Sequence, residues 1–570
     1  MTQSSDLIEI SGPLRDAPPR ARRRGRTRLL SVFSVIIALL FCIPAATVVY
    51  NLLLPQSEVW SHLVETVLPD YIANTIWLAV IVGTGVIAIG VSTAWLVTMC
   101  RFPGRDLLEW ALILPLAVPA YVMAYAYTDF LQYSGPLQTA LRDFFGWQTP
   151  RDYWFPDIHS VGGAATMLFL VLYPYVYLLT RAAFLQQSAC ALEVSRTLGC
   201  SPWSAFLRVA VPLARPSIVA GTTLALMETL ADFGTVQYFG VPTFTTGIYR
   251  AWFSMYDQVA AAQLAAILLG FVFICLLLER LSRGQRRFHH TTNRYQHLPE
   301  YKLRGGKALL STLTCCLPVV FGFLLPAGLL LNMALSNGLE IPKYLPQAYN
   351  TFILGAITAV LAVALAMMMA YSLRIRPTVV SITANRIAGL GYAIPGSVIG
   401  VGILLPFTWL DNTISGLFES LFGFSTGLLL TGGIAAIVFA YLVRFLAVSL
   451  QAVEAGFTKV RPSMEDAARS LGHGPFETLA KVHAPLMWGS LLTAGLLVFV
   501  DVMKELPATL IMRPFNFDTL AITAHNFASD ERLGHAATPA LMIVSVGLLP
   551  VIILSRAIAR SRPGRKGAFQ

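Results

Sequence analysis

Four carboxylates lie inside apolar runs of this chain, in two pairs of one spacing. Glu228 and Asp232 sit in the stretch METLADFG, and Asp501 and Glu505 follow 273 residues later. Each pair is spaced i, i+4, which on a continuous helix puts both side chains on one face. Counted from a helix start near Ala214, Glu228 lies roughly 21 Å along the axis, past the middle of a bilayer. A charge at that depth costs about 2.5–3.5 kcal/mol on insertion scales, so such residues face a pathway or find partners. Four crowded carboxylates repel one another and favour a bound cation, and oxygen donors suit a hard one. Internal pairing is an equal alternative: Lys504 adjoins Glu505 and stands three residues from Asp501, where the first half has Ala231.

Other chemistry is not indicated. No Ser-His-Asp or Cys-His arrangement can be argued for catalysis, and no GxxxxGK[ST] loop is present to cradle ATP. The expectation is a chain that is not an enzyme and binds no cofactor. His289, His290 and His297 lack a carboxylate or Cys at ligand spacing and read as part of a solvated linker. The seven cysteines fall mostly in or beside apolar runs and read as small buried residues. Tyr238, Tyr249 and Arg250 belong to an expected external loop, where they meet a partner protein, hold an anion, or serve as ordinary interfacial residues. His525 and His535 lie near the last external loop with no role assigned.

The elements that carry these residues are membrane spans. Apolar residues make up 56% of 570 positions and charged residues 12%, too little charge to cover a soluble protein of this size. Twelve spans are expected, near 29–53, 72–100, 107–133, 160–186, 214–236 and 258–280, then 308–335, 350–373, 387–410, 426–450, 487–511 and 536–557. Pro115, Pro119 and Pro395 should kink spans three and nine. The net charge of +11 is concentrated beside the spans. It lies in a basic arm (1–28), a linker (281–307) and a tail (558–570), as the positive-inside rule expects. That distribution argues for a lipid bilayer and against nucleic acid. The even span count and the basic loops after even-numbered spans place both termini in the cytoplasm. The first apolar run reads as a retained helix, not a cleaved leader.

The chain is also doubled. EVSRTLGCSPWSAFLRVAVPLARPSI, from Glu193, is echoed by DAARSLGHGPFETLAKVHAPLMWGSL, from Asp466, with Gly199/Gly472 and Pro212/Pro485 both 273 apart. Asn74-Thr75 and Asn350-Thr351 repeat at 276, as do Pro119 and Pro395. Six spans per half is an even number, so the halves (29–280 and 308–557) form a parallel repeat about an axis along the membrane normal. Each echoed segment reads as two short helices joined by a Gly turn on the cytoplasmic side. Gly199 and Gly472 end the first helix. Ser195, Ala467 and Ala468 are small enough for close approach by another protein. Phe206 and Phe476 offer apolar anchors, and Pro212 and Pro485 constrain re-entry into the membrane.

These two segments resemble the EAA loops of ABC-transporter permeases, whose pattern is an acidic residue (here Glu193; Asp466), Ala-Ala, Gly six positions on and Leu-Pro thirteen beyond the Gly; both copies keep the Gly and the Pro at that spacing. The first copy departs with Val194-Ser195, while the second keeps Ala467-Ala468. The resemblance implies an all-α polytopic protein of about twelve transmembrane helices, two six-helix repeats of the type I importer permease fold. It implies ATP hydrolysis by a separate ATPase, two copies gripping the two loops. The stretches ETLADFGTVQYFGVPTFTTGIYRAWF and DVMKELPATLIMRPFNFDTLA resemble the fused ferric-iron permeases of that superfamily, over nearly the whole chain. This implies import of iron(III) from a periplasmic iron-binding protein across a bacterial inner membrane. Thiamine, sulfate and polyamine permeases share the architecture or the loop. An ion-coupled secondary transporter is the reading from another class, and the docking segments argue against it.

Overall fold

In a bilayer every backbone N–H and C=O must be bonded within its own segment, so long apolar runs become helices. The computed structural model describes residues 20–55, 58–186, 199, 201–283, 301–458 and 460–560. Among the described residues, ten helices are long and apolar enough to cross a membrane, and two sharply bent helix pairs raise the number to as many as twelve. The first half supplies Arg20–Asn51, Leu68–Met99, Val161–Gln186, Val211–Ala231 and Gln258–Arg283. The second supplies Gly306–Ser336, Leu345–Ile375, Gly396–Phe422, Ala435–Phe457 and Leu533–Arg560. The bent pairs are Arg105–Ala117 with Ala120–Phe145, at 93°, and Pro475–Leu486 with Trp488–Met503, at 85°.

Two expectations about continuity are corrected. Spans three and nine are broken, not kinked. A 3-10 turn (Leu114–Ala117; Gly391–Ala393) leads to a proline in extended conformation, Pro119 at ψ 145° and Pro395 at ψ 143°, which caps the next helix. Proline lacks the N–H to continue a helix and holds its predecessor out of the helical region. Spans five and eleven stop early as well, at Ala231 and Met503. Asp232 is extended (φ −66°, ψ 133°) and Glu505 falls in the gap before Pro507–Met512. The i, i+4 pairs therefore do not share one helix face.

The repeat extends to single hydrogen bonds. Asn74 donates to the Pro242 carbonyl at 2.9 Å and Asn350 to the Asp518 carbonyl at 3.0 Å, each over 168 residues. The same three helices pack together in each half: 68–99 with 161–186 and 211–231, and 345–375 with 435–457 and 488–503. Close approach needs a missing side chain at Gly221, where a Cβ would stand 2.7 Å from the Val176 Cα.

The halves are interlocked. The first helix, Arg20–Asn51, packs mainly on Gly396–Phe422 and Val379–Gly389 of the second half. Reciprocally, Gly306–Ser336 lies against the first half: Tyr127 donates to the Phe321 carbonyl at 2.6 Å, and Gly322 rests on Pro115. The end of the expected linker is structured too, since Tyr301–Lys302 pairs as a short parallel strand with Cys100–Arg101.

Candidate functional site

A cavity of about 110 Å³ lies between the halves. Glu228, Asp232, Tyr121 and Tyr175 line it from the first half, and Asp501, Glu505, Lys504, Arg444 and Tyr392 from the second. All four expected acids are thus brought to one place, but in two different roles. Asp232 accepts hydrogen bonds from the backbone N–H groups of Thr235 and Val236, both at 3.1 Å, and from the Thr235 hydroxyl at 2.9 Å. Glu505 accepts from the N–H groups of Ala508 at 2.9 Å and Thr509 at 3.0 Å, and from the Thr509 hydroxyl at 2.6 Å. Both are caps of the short helices that follow, satisfying amides that have no partner in the first turn.

Glu228 and Asp501, 273 residues apart, are the other matched pair. Glu228 is 25% exposed and lies 3.6 Å from Arg444, and Asp501 is 20% exposed and lies 2.9 Å from Lys504. Arg444 also holds Glu505 at 3.2 Å, where both side chains are nearly sealed. Of pathway and pairing, the geometry shows pairing, for three of the four acids that line the cavity. Four carboxylates against two cations leave a formal charge of −2 at the lining, which favours cations over anions. No group of three or more His, Cys, Asp or Glu side chains in a metal-holding arrangement occurs among the described residues. The idea of four acids converging on one ion is corrected accordingly, since two of them are committed to backbone amides.

Arg444 was missed. Its signal was an arginine deep in an apolar run, AAIVFAYLVRFLAVSL, with no counterpart at the repeat offset, where Val171 stands. Tyr249 is also corrected: it is buried, stacked on Phe233 at 3.6 Å, and donates to the Pro507 carbonyl across the halves. Arg250 is exposed, Tyr238 packs against Tyr125 at 4.8 Å, and His525 is buried beside the Tyr125 hydroxyl at 3.3 Å. His535 rests against Phe527. His289, His290 and His297 lie outside the described residues.

The two echoed segments are seen most fully in the second half. Helix Pro462–Ser470 ends at Gly472, whose φ of 89° is left-handed, and Gly199 has φ 81° at the same place in the first copy. Glu193 and Ser195 lie outside the described residues. Asp466 and Ala467 are exposed, but Ala468 is buried within the chain's own packing. Phe476 is 43% exposed, whereas Phe206 is buried against Trp95 and Trp203. Phe206 is therefore no anchor for a partner. The 273 offset pairs Phe476 with Trp203, which is 66% exposed, and Phe206 with Leu479, which is buried like it. Pro212 lies in the first turn of Val211–Ala231, and Pro485 precedes the 85° bend. Helix Pro462–Ser470 is tied to the bundle by Arg374, which bonds Glu465 at 3.2 Å and donates to the carbonyls of Phe457 and Val460. At the 276 offset the first half has Thr98. On the exposed face of the next turn, Glu477 bridges His473 at 3.0 Å and Lys481 at 2.6 Å, which holds its carboxyl down at about 2.

Residues 86–286 match a family described as binding-protein-dependent transport system inner membrane component. A Haemophilus influenzae protein named Fe(3+)-transport system permease protein FbpB 2 is 25% identical over 541 residues, covering 92% of this chain and 98% of that one. The ferric transport system permease protein FbpB of Actinobacillus pleuropneumoniae is 22% identical over 86% of this chain and 71% of its own length. The Escherichia coli molybdenum transport system permease protein ModB is 30% identical over 35% of this chain and 86% of its own.

Proposed function

This chain belongs to the binding-protein-dependent transport system inner membrane components, and on that premise we propose that it is the two-half permease of an ABC importer for iron(III). The observation that carries the cargo class is the acidic cavity between the halves, with the matched carboxylates Glu228 and Asp501 facing it. Likeness to ferric permeases along 92% of the chain supports the same reading. A periplasmic iron-binding protein delivers the ion to the outer side. Two ATPase copies grip the docking segments from the cytoplasm, where both termini lie, and ATP hydrolysis is theirs. Closure of the ATPase pair rocks the halves about their shared axis, so the cavity faces outward and then inward. The chain performs no catalysis and holds no cofactor; iron passes through it as cargo.

An oxyanion cargo is the second reading, favoured by Arg444 and Lys504 in the cavity and by the likeness to ModB. The two are separated by transport. The chain is reconstituted with its ATPase and binding protein, and uptake of iron(III) is compared with uptake of molybdate and sulfate. Uptake of the oxyanions alone ends the ferric reading.

A further inference from the structure

We propose that Arg444 is a latch between the halves that a cationic cargo opens. The inference rests on the cation-importer reading of the cavity and names how that cavity controls the cycle. Arg444 belongs to Ala435–Phe457 of the second half, and its guanidinium stands between Glu505 of its own half, at 3.2 Å, and Glu228 of the other, at 3.6 Å. The two carboxylates differ in freedom. Glu505 is held by two backbone amides and a hydroxyl as well as by Arg444, so it stays in place. Glu228 lies in the last turn of Val211–Ala231 and is the more exposed of the two.

Arg444 therefore occupies the position that an incoming cation would seek. In the empty carrier it supplies positive charge to Glu228 and thereby joins the halves. Coulomb attraction scales with charge, so a multivalent cation at Glu228 outcompetes a guanidinium at similar distance and repels it. Arg444 then falls back on Glu505, a bond within its own half, and the ion pair across the halves is gone. The bond from Tyr249 to the Pro507 carbonyl remains across the halves, along with the side-chain contact Tyr175–Tyr392, at 3.5 Å, and the bond from Tyr121 to the Lys504 carbonyl, at 3.4 Å, the last two at the outer limit of hydrogen bonding. The cargo thus acts as effector of the motion that carries it, through its different affinity for the latched and unlatched states.

The test reads ATP turnover by the permease–ATPase complex in liposomes with no cargo and no binding protein. Arg444→Gln and Glu228→Gln should each raise cargo-free turnover at least about fivefold, the lower end of ordinary coupling between sites. The double variant should rise no further, since both changes cut one bond, and Arg444→Lys should fall between wild type and Arg444→Gln. Should Arg444→Gln fail to assemble, Glu228→Gln alone decides, because it leaves Arg444 its bond to Glu505. Turnover equal to wild type in an assembled Glu228→Gln complex, or additive increases in the double variant, overturns the latch. Iron(III) uptake by the unaltered protein tests the cargo reading separately, so the two ideas fail on different measurements.

Discussion

Replacing Glu505 by Ala should damage this protein far more than replacing Glu228 by Gln, although the two acids line one cavity. Glu505 is 5% exposed and accepts from two amides, one hydroxyl and Arg444. Its loss strips a helix cap, worth about 0.5–2 kcal/mol. It also leaves a buried guanidinium short of its nearer counter-ion, and breaking such a pair from one side costs about 3–5 kcal/mol. The terms overlap, so about 4 kcal/mol is the expected total. Glu228 makes one longer ion pair and is partly solvated, so its amide should cost roughly 1 kcal/mol or less. The assay is the unfolding midpoint of each variant, purified in one detergent and heated at one rate. The drop for Glu505→Ala should be several times that for Glu228→Gln. Equal drops, or a larger drop for Glu228→Gln, would refute the division of the four acids into caps and cavity-facing groups.

Trp203→Ala and Phe476→Ala should each weaken ATPase association at least about tenfold, as loss of an exposed aromatic anchor commonly does, measured by co-purification at graded ATPase concentration. Phe206→Ala should instead cost about 3–5 kcal/mol of stability as a core truncation, seen as a lowered midpoint; unchanged stability there contradicts its burial. Arg374→Ala removes an ion pair and two bonds to carbonyls, and at about 1.5–3 kcal/mol for a charged hydrogen bond it should cut transport per ATP hydrolysed about tenfold while the ATPase still binds. For Glu477 the sign follows from a depressed carboxyl: its contribution is fully present above its ordinary value of 4.5 and is lost as pH falls through about 2. The midpoint difference between wild type and Glu477→Gln should be present at pH 5 and narrow as pH falls below 4.5; a difference undiminished at pH 3 contradicts the pairing.

Span number and the doubling were legible because both depend on features a sequence displays directly, long apolar runs and fixed offsets between identical residues. Asn74 and Asn350 were marked by offset alone, and the fold gives them matching hydrogen bonds. The helix ends were not legible. Helical spacing linked Glu228 to Asp232, yet the chain leaves the helix at Asp232, whose carboxylate caps the next helix. Thr235 and Thr509, three and four residues beyond these acids, were the local signal for a cap. Phe206 and Trp203 lie three residues apart, and only packing against Trp95 decides which one turns inward. Arg444 was visible as an oddity, but its reach across to Glu228 depends on how the two halves meet. The interlocking of Arg20–Asn51 and Gly306–Ser336 with opposite halves is likewise a long-range fact that neither hydropathy nor offset encodes.

The most direct measurement is ATP-dependent uptake of iron(III) into liposomes carrying the chain, its ATPase and an iron-loaded binding protein, with wild type set beside Glu228→Gln/Asp501→Asn. Wild type should accumulate iron only with ATP, and the double variant should still assemble and hydrolyse ATP but accumulate almost none. Iron uptake by the double variant at the wild-type rate would contradict a path between the halves past these two carboxylates.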